Sequence, residues 1–301
     1  MNILLLGANG QIGWELKRTL APLGQLKVCD RQTVNLENTD ELLATVQDYC
    51  PTVIVNAAAY TAVDKAESEP EKAYRINAEA VKLLANEASR LNAWLIHYST
   101  DYIFDGTKKG AYIETDVPNP LSIYGKTKLQ GEEAIKKSGC KHIIFRSSWV
   151  YAAHGANFVK TIIRLAKERD EIKVVADQFG TPTSAEMIAD ITALSLRHLT
   201  HKKEFAEQLS GTYHLTATGE TSWHGFAKYV VAEAQKCGII LRAMPENVTP
   251  ISTSEYPLPA IRPANSRLDS QKLVDTFAVN LPPWQTHAQR MISETSQQVT
   301  S

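Results

Sequence analysis

The sequence predicts an α/β protein built on a doubly wound parallel sheet, with a smaller α/β lobe behind it. Three observations carry that expectation. Short apolar runs alternate with amphipathic helical stretches through the first 150 residues. A glycine-rich turn joins the first run to the first helix. The strand–helix units repeat at a length that requires parallel strands covered by helices on both faces.

The elements follow in order. Residues 3–6 form a short apolar strand, and 11–20 have helical spacing. Strands follow at 26–29, 52–56 (TVIVN), 94–99 (WLIHYS) and 142–147 (HIIFRS). Helices at 39–49, 70–91 and 124–138 separate them, the first opening on Thr39, a residue type suited to an N-cap. The rhythm weakens beyond residue 150. Helices are expected at 157–169, 184–199, 223–237 and 284–294, with a strand at 173–176, a GTYHLT run at 211–216 and a proline-rich stretch at 245–263. These features divide the chain into a nucleotide-binding domain, 1–150, and a mainly substrate-binding lobe, 151–301, with elements near 172–199 returning to the first domain. The polar tail SQQVTS reads as frayed.

Composition excludes several classes. The 301 residues are 44% hydrophobic and 22% charged, and carry 32 basic against 33 acidic groups. A net charge of −1, evenly mixed, predicts no nucleic-acid or membrane-surface partner. Cys29, Cys50, Cys140 and Cys237 are scattered and read as reduced thiols. The N-terminus lacks a basic region and a long apolar run, and no stretch approaches the ~20 apolar residues of a membrane span. A cytoplasmic, soluble protein is expected. No HExxH, zinc-spaced Cys/His cluster or GxSxG elbow is present, and His198 and His201 read as a surface pair.

The chemistry concentrates in two places. Gly7-Ala-Asn-Gly10-Gln11-Ile12-Gly13 follows the first strand and opens the first helix. Glycines there permit a tight turn and bring backbone N–H groups to a pyrophosphate at a helix N-terminus, a Rossmann-type arrangement. Asp30 ends the second strand, where a carboxylate takes ribose hydroxyls, and favours NADH; Arg31 beside it suits the 2′-phosphate of NADPH. The choice stays open. Small residues at Asn56-Ala-Ala-Ala59 let backbone lie against a cofactor. The second place is Tyr124-Gly-Lys-Thr-Lys128, whose spacing sets both side chains on one helix face. A phenol is a poor acid at neutral pH unless tuned, and an adjacent ammonium brings it down. Thr100, at the carboxyl end of the fourth strand, is placed to orient a carbonyl oxygen.

GxxGxxG, NAAAYT, HYSTDYIFDG and YGKTK together resemble the extended short-chain dehydrogenase/reductase family. VDKAESEPEKAYRINAEA (63–80), ETDVPNPLSIYGKTKLQGE (114–132), FRSSWVYA (145–152), DQFGTPTSAE (177–186) and RPANSRLD (262–269) narrow the likeness to its dTDP-4-dehydrorhamnose reductases, over nearly the whole chain. The resemblance implies hydride transfer from NADPH or NADH to C4 of a dTDP-4-keto sugar. Tyr124 is then the proton donor, Lys128 tunes it and binds ribose, and Thr100 fixes the carbonyl. Thr100, Asp101 and Trp149 contact the sugar nucleotide, and Arg262 meets its diphosphate. Ala59, Tyr60, Thr61 and Tyr102 line the cofactor. Asn35 and Leu36 lie near the adenine, Asn35 standing where some relatives carry Asp. The resemblance also implies a homodimer and a structural Mg2+ held by Glu15, Glu186 and Glu294. Two other readings are weighed. One is a nucleotide-sugar epimerase or dehydratase; Asp101 follows Thr100, but Tyr102, not Glu, comes next. The other is a non-catalytic subunit similar to the β subunit of methionine adenosyltransferase, against which the retention of Thr100, Tyr124 and Lys128 speaks.

Overall fold

A computed structural model describes residues 1–201 and 206–300. The first half runs β1 (Asn2–Leu6), α1 (Gln11–Leu20), β2 (Gln25–Cys29), α2 (Thr39–Tyr49), β3 (Val53–Asn56), α3 (Val63–Ala66), α4 (Pro70–Tyr74), α5 (Ala80–Arg90), β4 (Trp94–Thr100), α6 (Ile123–Ser138) and β5 (Lys141–Ser147). The second half continues with β6 (Val150–Tyr151), α7 (Phe158–Glu168), β7 (Ile172–Val175), β8 (Phe179–Gly180), β9 (Thr183–Ser184), α8 (Ala185–His201), β10 (Gly211–His214), β11 (Thr221–Ser222), α9 (Trp223–Lys236), β12 (Val248–Ile251), α10 (Gln271–Phe277) and α11 (Trp284–Thr300).

The main sheet has six strands in the order β10-β5-β4-β3-β1-β2, every neighbouring pair parallel. Period-two side chains sort the strands between two buried layers. Ile3, Leu5, Val53, Val55, Ile96 and Phe145 belong to one, with Leu16 of α1 and Ile188 of α8. Leu4, Leu6, Ile54, Leu95 and Ile144 belong to the other, with Leu42 of α2 and Leu84 of α5. Chain direction reverses beside β1, between β2 and β3, so a crevice opens at the carboxyl ends of β1 and β3. No helix among the described residues is long and apolar enough to cross a membrane.

Several local expectations shift. Asn38, not Thr39, caps α2: it is extended and its side chain accepts from Glu41 N at 3.2 Å, whereas Thr39 is already helical. The expected helix at 70–91 contains a π turn, Arg75–Glu79, between α4 and α5. The GTYHLT run supplies the sixth strand, β10, beside β5. Within the proline-rich stretch, Val248–Ile251 pairs with β7. The last helix runs on to Thr300; the side chains of 296–300, like that of His201, lie outside the described residues.

Candidate active site

The crevice is a cleft of about 770 Å3. One wall is the turn after β1. Gly7 has φ +79°, a left-handed conformation open to glycine, and Gly13 presses so closely on the Gly7 carbonyl that a Cβ would collide. Gly10 caps α1 without a side-chain bond, so the first N–H groups of the helix keep their donor capacity. The Gln11 side-chain oxygen and one carboxylate oxygen of Asp101, both lining the cleft, are buried with no partner in the protein. A helix N-terminus with free donors and orphaned polar atoms fits a bound dinucleotide and a polar substrate.

The opposite wall comes from β4 and α6. Ser122 caps α6, accepting from Gly125 N at 3.2 Å, which sets Tyr124 in the first turn. The Tyr124 ring meets Tyr102 edge-on at 5.6 Å. Its phenol is pushed up to about 12, chiefly by burial, with the Asp101 charge adding and a hydrogen bond with Thr100 opposing. Thr100 donates to Asp101 at 3.2 Å and accepts from Tyr102 N at 3.2 Å. Burial raises Asp101 to about 6, against hydrogen bonds from Ser266 and Thr100.

Lys128 stands one helical turn on from Tyr124. Its Nζ donates to the Tyr98 carbonyl at 2.6 Å and meets His97 Nε2 at 3.1 Å. Burial brings its ammonium down to about 8, the Glu132 carboxylate one turn on opposing.

Every expected cofactor and substrate residue lines this cleft except Gly13, Asn56 and Arg262. Gly13 lies behind the turn. The Arg262 guanidinium is held in a two-pronged pair with Asp64, at 3.0 and 2.8 Å. Asp30 is likewise occupied, accepting from Asn9 at 2.7 Å and from Gln32 N and Thr33 N at 2.9 and 3.0 Å. Arg31 pairs with Glu37 at 3.0 Å, and the Asn35 side chain accepts from Glu37 N. Trp149 takes φ +50°, a strained setting for a side chain this large, and stacks on Trp223 with centroids 3.7 Å apart. Sequence reasoning missed Trp223, which also lines the cleft but heads α9 with no local motif to mark it.

The magnesium expectation is not supported. Glu15, Glu186 and Glu294 do share one patch: burial, then the Glu186 charge, raises the Glu15 carboxyl, with Glu294 contributing. Arg290 already bridges Glu186 and Glu294 at 2.9 Å each, and Arg18 lies 3.8 Å from Glu15. Guanidinium groups thus supply the cation, and no cluster able to hold a metal occurs among the described residues.

The model of the RmlD substrate binding domain family matches residues 1–297. The chain belongs to this family. It is 50% identical over 298 residues to the dTDP-4-dehydrorhamnose reductase of Escherichia coli (strain K12), covering 98% of each chain. Among solved structures, the dTDP-4-dehydrorhamnose reductase of Bacillus anthracis in complex with NADP matches with a TM-score of 0.86 at 36% identity, covering 97% of this chain and 98% of that one. A UDP-glucose 4-epimerase of Thermus thermophilus, with a TM-score of 0.76 at 19% identity over 99% and 98% of the two chains, shares the fold.

Proposed function

We propose that the chain reduces the C4 keto group of dTDP-4-dehydro-L-rhamnose to dTDP-L-rhamnose with NADPH or NADH. The observation that carries this is the meeting of Thr100, Tyr124 and Lys128 in the cleft that the glycine turn opens. The family relatives named as reductases support the substrate. The reduced nicotinamide supplies the hydride that attacks the keto carbon. Thr100 orients the carbonyl oxygen, and Tyr124 donates its proton to the alkoxide as it forms. Lys128 holds the ribose. The stacked Trp149 and Trp223 give the sugar nucleotide an apolar wall, and lobe residues beyond 150 close over the carboxyl edge of the sheet. With Asp30 already hydrogen-bonded and Arg31 paired at the surface, both cofactors belong to the proposal. So does a homodimer through the α1–α8 face, where Trp14 and Leu194 are exposed.

The test is an assay with dTDP-6-deoxy-L-lyxo-4-hexulose, with NADH and NADPH in parallel. Nicotinamide absorbance is expected to fall in step with product. An enzyme that recycles its cofactor, as epimerases and dehydratases do, leaves the absorbance unchanged, and that result would overturn the reading. Thr100→Val is expected to lower kcat about 100-fold with little change in KM, because it removes an oriented hydroxyl at the reacting oxygen. Steady-state kinetics check it; an equal loss confined to KM would reassign Thr100 to ground-state binding.

A further inference from the structure

Behind Lys128 runs a chain of hydrogen bonds, half-buried at its Ala58 end and buried from Asn56 on, that the reaction does not use. The Ala58 N–H donates to the Asn56 side-chain oxygen at 3.2 Å. The Asn56 amide nitrogen lies 3.3 Å from His97 Nδ1, and His97 Nε2 lies 3.1 Å from Lys128 Nζ. Asn56 and His97 are register partners on β3 and β4, 1% and 0% exposed. They form a polar strip at the end of an otherwise apolar layer.

Three links need three donors and three acceptors. Facing along the chain, Ala58 offers a donor. Asn56 and a neutral His97 each offer one donor and one acceptor. An ammonium adds a fourth donor and leaves only two acceptors, so one link must fail. Turning the Asn56 amide over, or moving the imidazole proton, relocates the failure without removing it. An uncharged amine accepts from His97 Nε2–H through its lone pair, and all three links close. It still donates to the Tyr98 carbonyl.

We propose that the Ala58–Asn56–His97–Lys128 chain holds Lys128 as a neutral amine in the free enzyme, so that binding the anionic reduced cofactor draws one proton from solvent onto Nζ. The surrounding groups allow this. Burial acts on Lys128 more strongly than the Glu132 carboxylate that opposes it, and that carboxylate is shared with Arg146 of β5 at 2.6 Å. Burial, the larger cause, holds His97 well below its usual range, so it stays neutral. Burial already lowers Lys128 to about 8, and a broken link favours the neutral form further. The proton count on binding rests on the cofactor reading above; the charge state of the free enzyme does not.

The test is NMR of the cofactor-free protein carrying labelled lysine, at pH 8, with the Lys128 signal assigned by Lys128→Arg. A neutral amine is expected. Asn56→Asp, nearly the same shape, puts acceptors on both sides of that position. His97 then carries its proton on Nδ1 and offers Nε2 to an ammonium, so Lys128 in this variant is expected to be charged at pH 8. An ammonium at pH 8 in the unmodified protein, or a neutral amine in both, overturns the proposal. Calorimetry of NADPH binding at pH 8 in buffers of different ionisation enthalpy then counts protons. Uptake approaching one per site is expected, and none in Asn56→Asp. Binding without uptake overturns the proposal, whereas failure of NADPH and NADH to bind overturns the cofactor reading and leaves the NMR result standing.

Discussion

Replacing Tyr124 by Phe is expected to lower kcat by about 10^2- to 10^4-fold while cofactor affinity stays near that of the unmodified protein. The ring keeps its place. It is half-buried in the first turn of α6 and packs edge-on against Tyr102, and neither contact needs the hydroxyl. The hydroxyl is lost, with its proton and its hydrogen bond to Thr100. Burial lifts the phenol to about 12, and a raised value favours the protonated form, so Tyr124 reaches the carbonyl as a donor at neutral pH. The other acid within reach is Asp101, lifted to about 6 and therefore mostly ionised at pH 7. It gains its proton as pH falls through that value. The residual rate of the Phe variant is therefore expected to rise below pH 6, where the unmodified enzyme shows no such gain. Single-turnover rates against pH, with cofactor binding followed by fluorescence, check both parts. A Phe variant at full rate would remove Tyr124 from the proton's path.

The glycine turn, the strands of the first half and the Tyr–Lys spacing were legible because each rests on local physics. Burial on both faces writes continuous apolar runs, a tight turn needs glycine, and four residues make one helix face. These signals located the cleft, since ligands in such sheets sit at the carboxyl ends of strands beside the switch point. Partnerships across the chain were not legible. Spacing put Lys128 on the face of Tyr124, yet its ammonium reaches the Tyr98 carbonyl and a histidine that reads in sequence as one polar letter inside WLIHYS. Arg262 and the three glutamates look available until the structure supplies Asp64, Arg290 and Arg18. Strands of two residues, such as β6 and β9, are too short to carry a period.

Glu132→Ala is expected to destabilise the fold by about 3–5 kcal/mol, the largest stability effect at the site. The Glu132 and Arg146 side chains are 0% and 1% exposed and meet in a two-pronged pair at 2.9 and 2.6 Å. Removing the carboxylate strands a guanidinium whose remaining company is the His214 ring nitrogen at 3.5 Å and the Phe104 face at 5.4 Å. Urea denaturation checks the loss; a variant within about 1 kcal/mol of the unmodified protein would mean that water reaches Arg146. The double variant Glu132→Leu, Arg146→Met separates stability from function. With both charges gone, no buried charge is left unpaired, and replacing a buried pair by apolar residues is often neutral. Its unfolding free energy is expected to recover most of the loss. Its cofactor affinity is not, because Glu132 stands one turn beyond Lys128 and is the carboxylate that favours the charged amine. A double variant that regained both stability and affinity would show that the pair serves the core alone. Recovery of stability without affinity would tie the buried charge to the lysine it faces, which explains why α6 carries a carboxylate where leucine would hold the fold equally well.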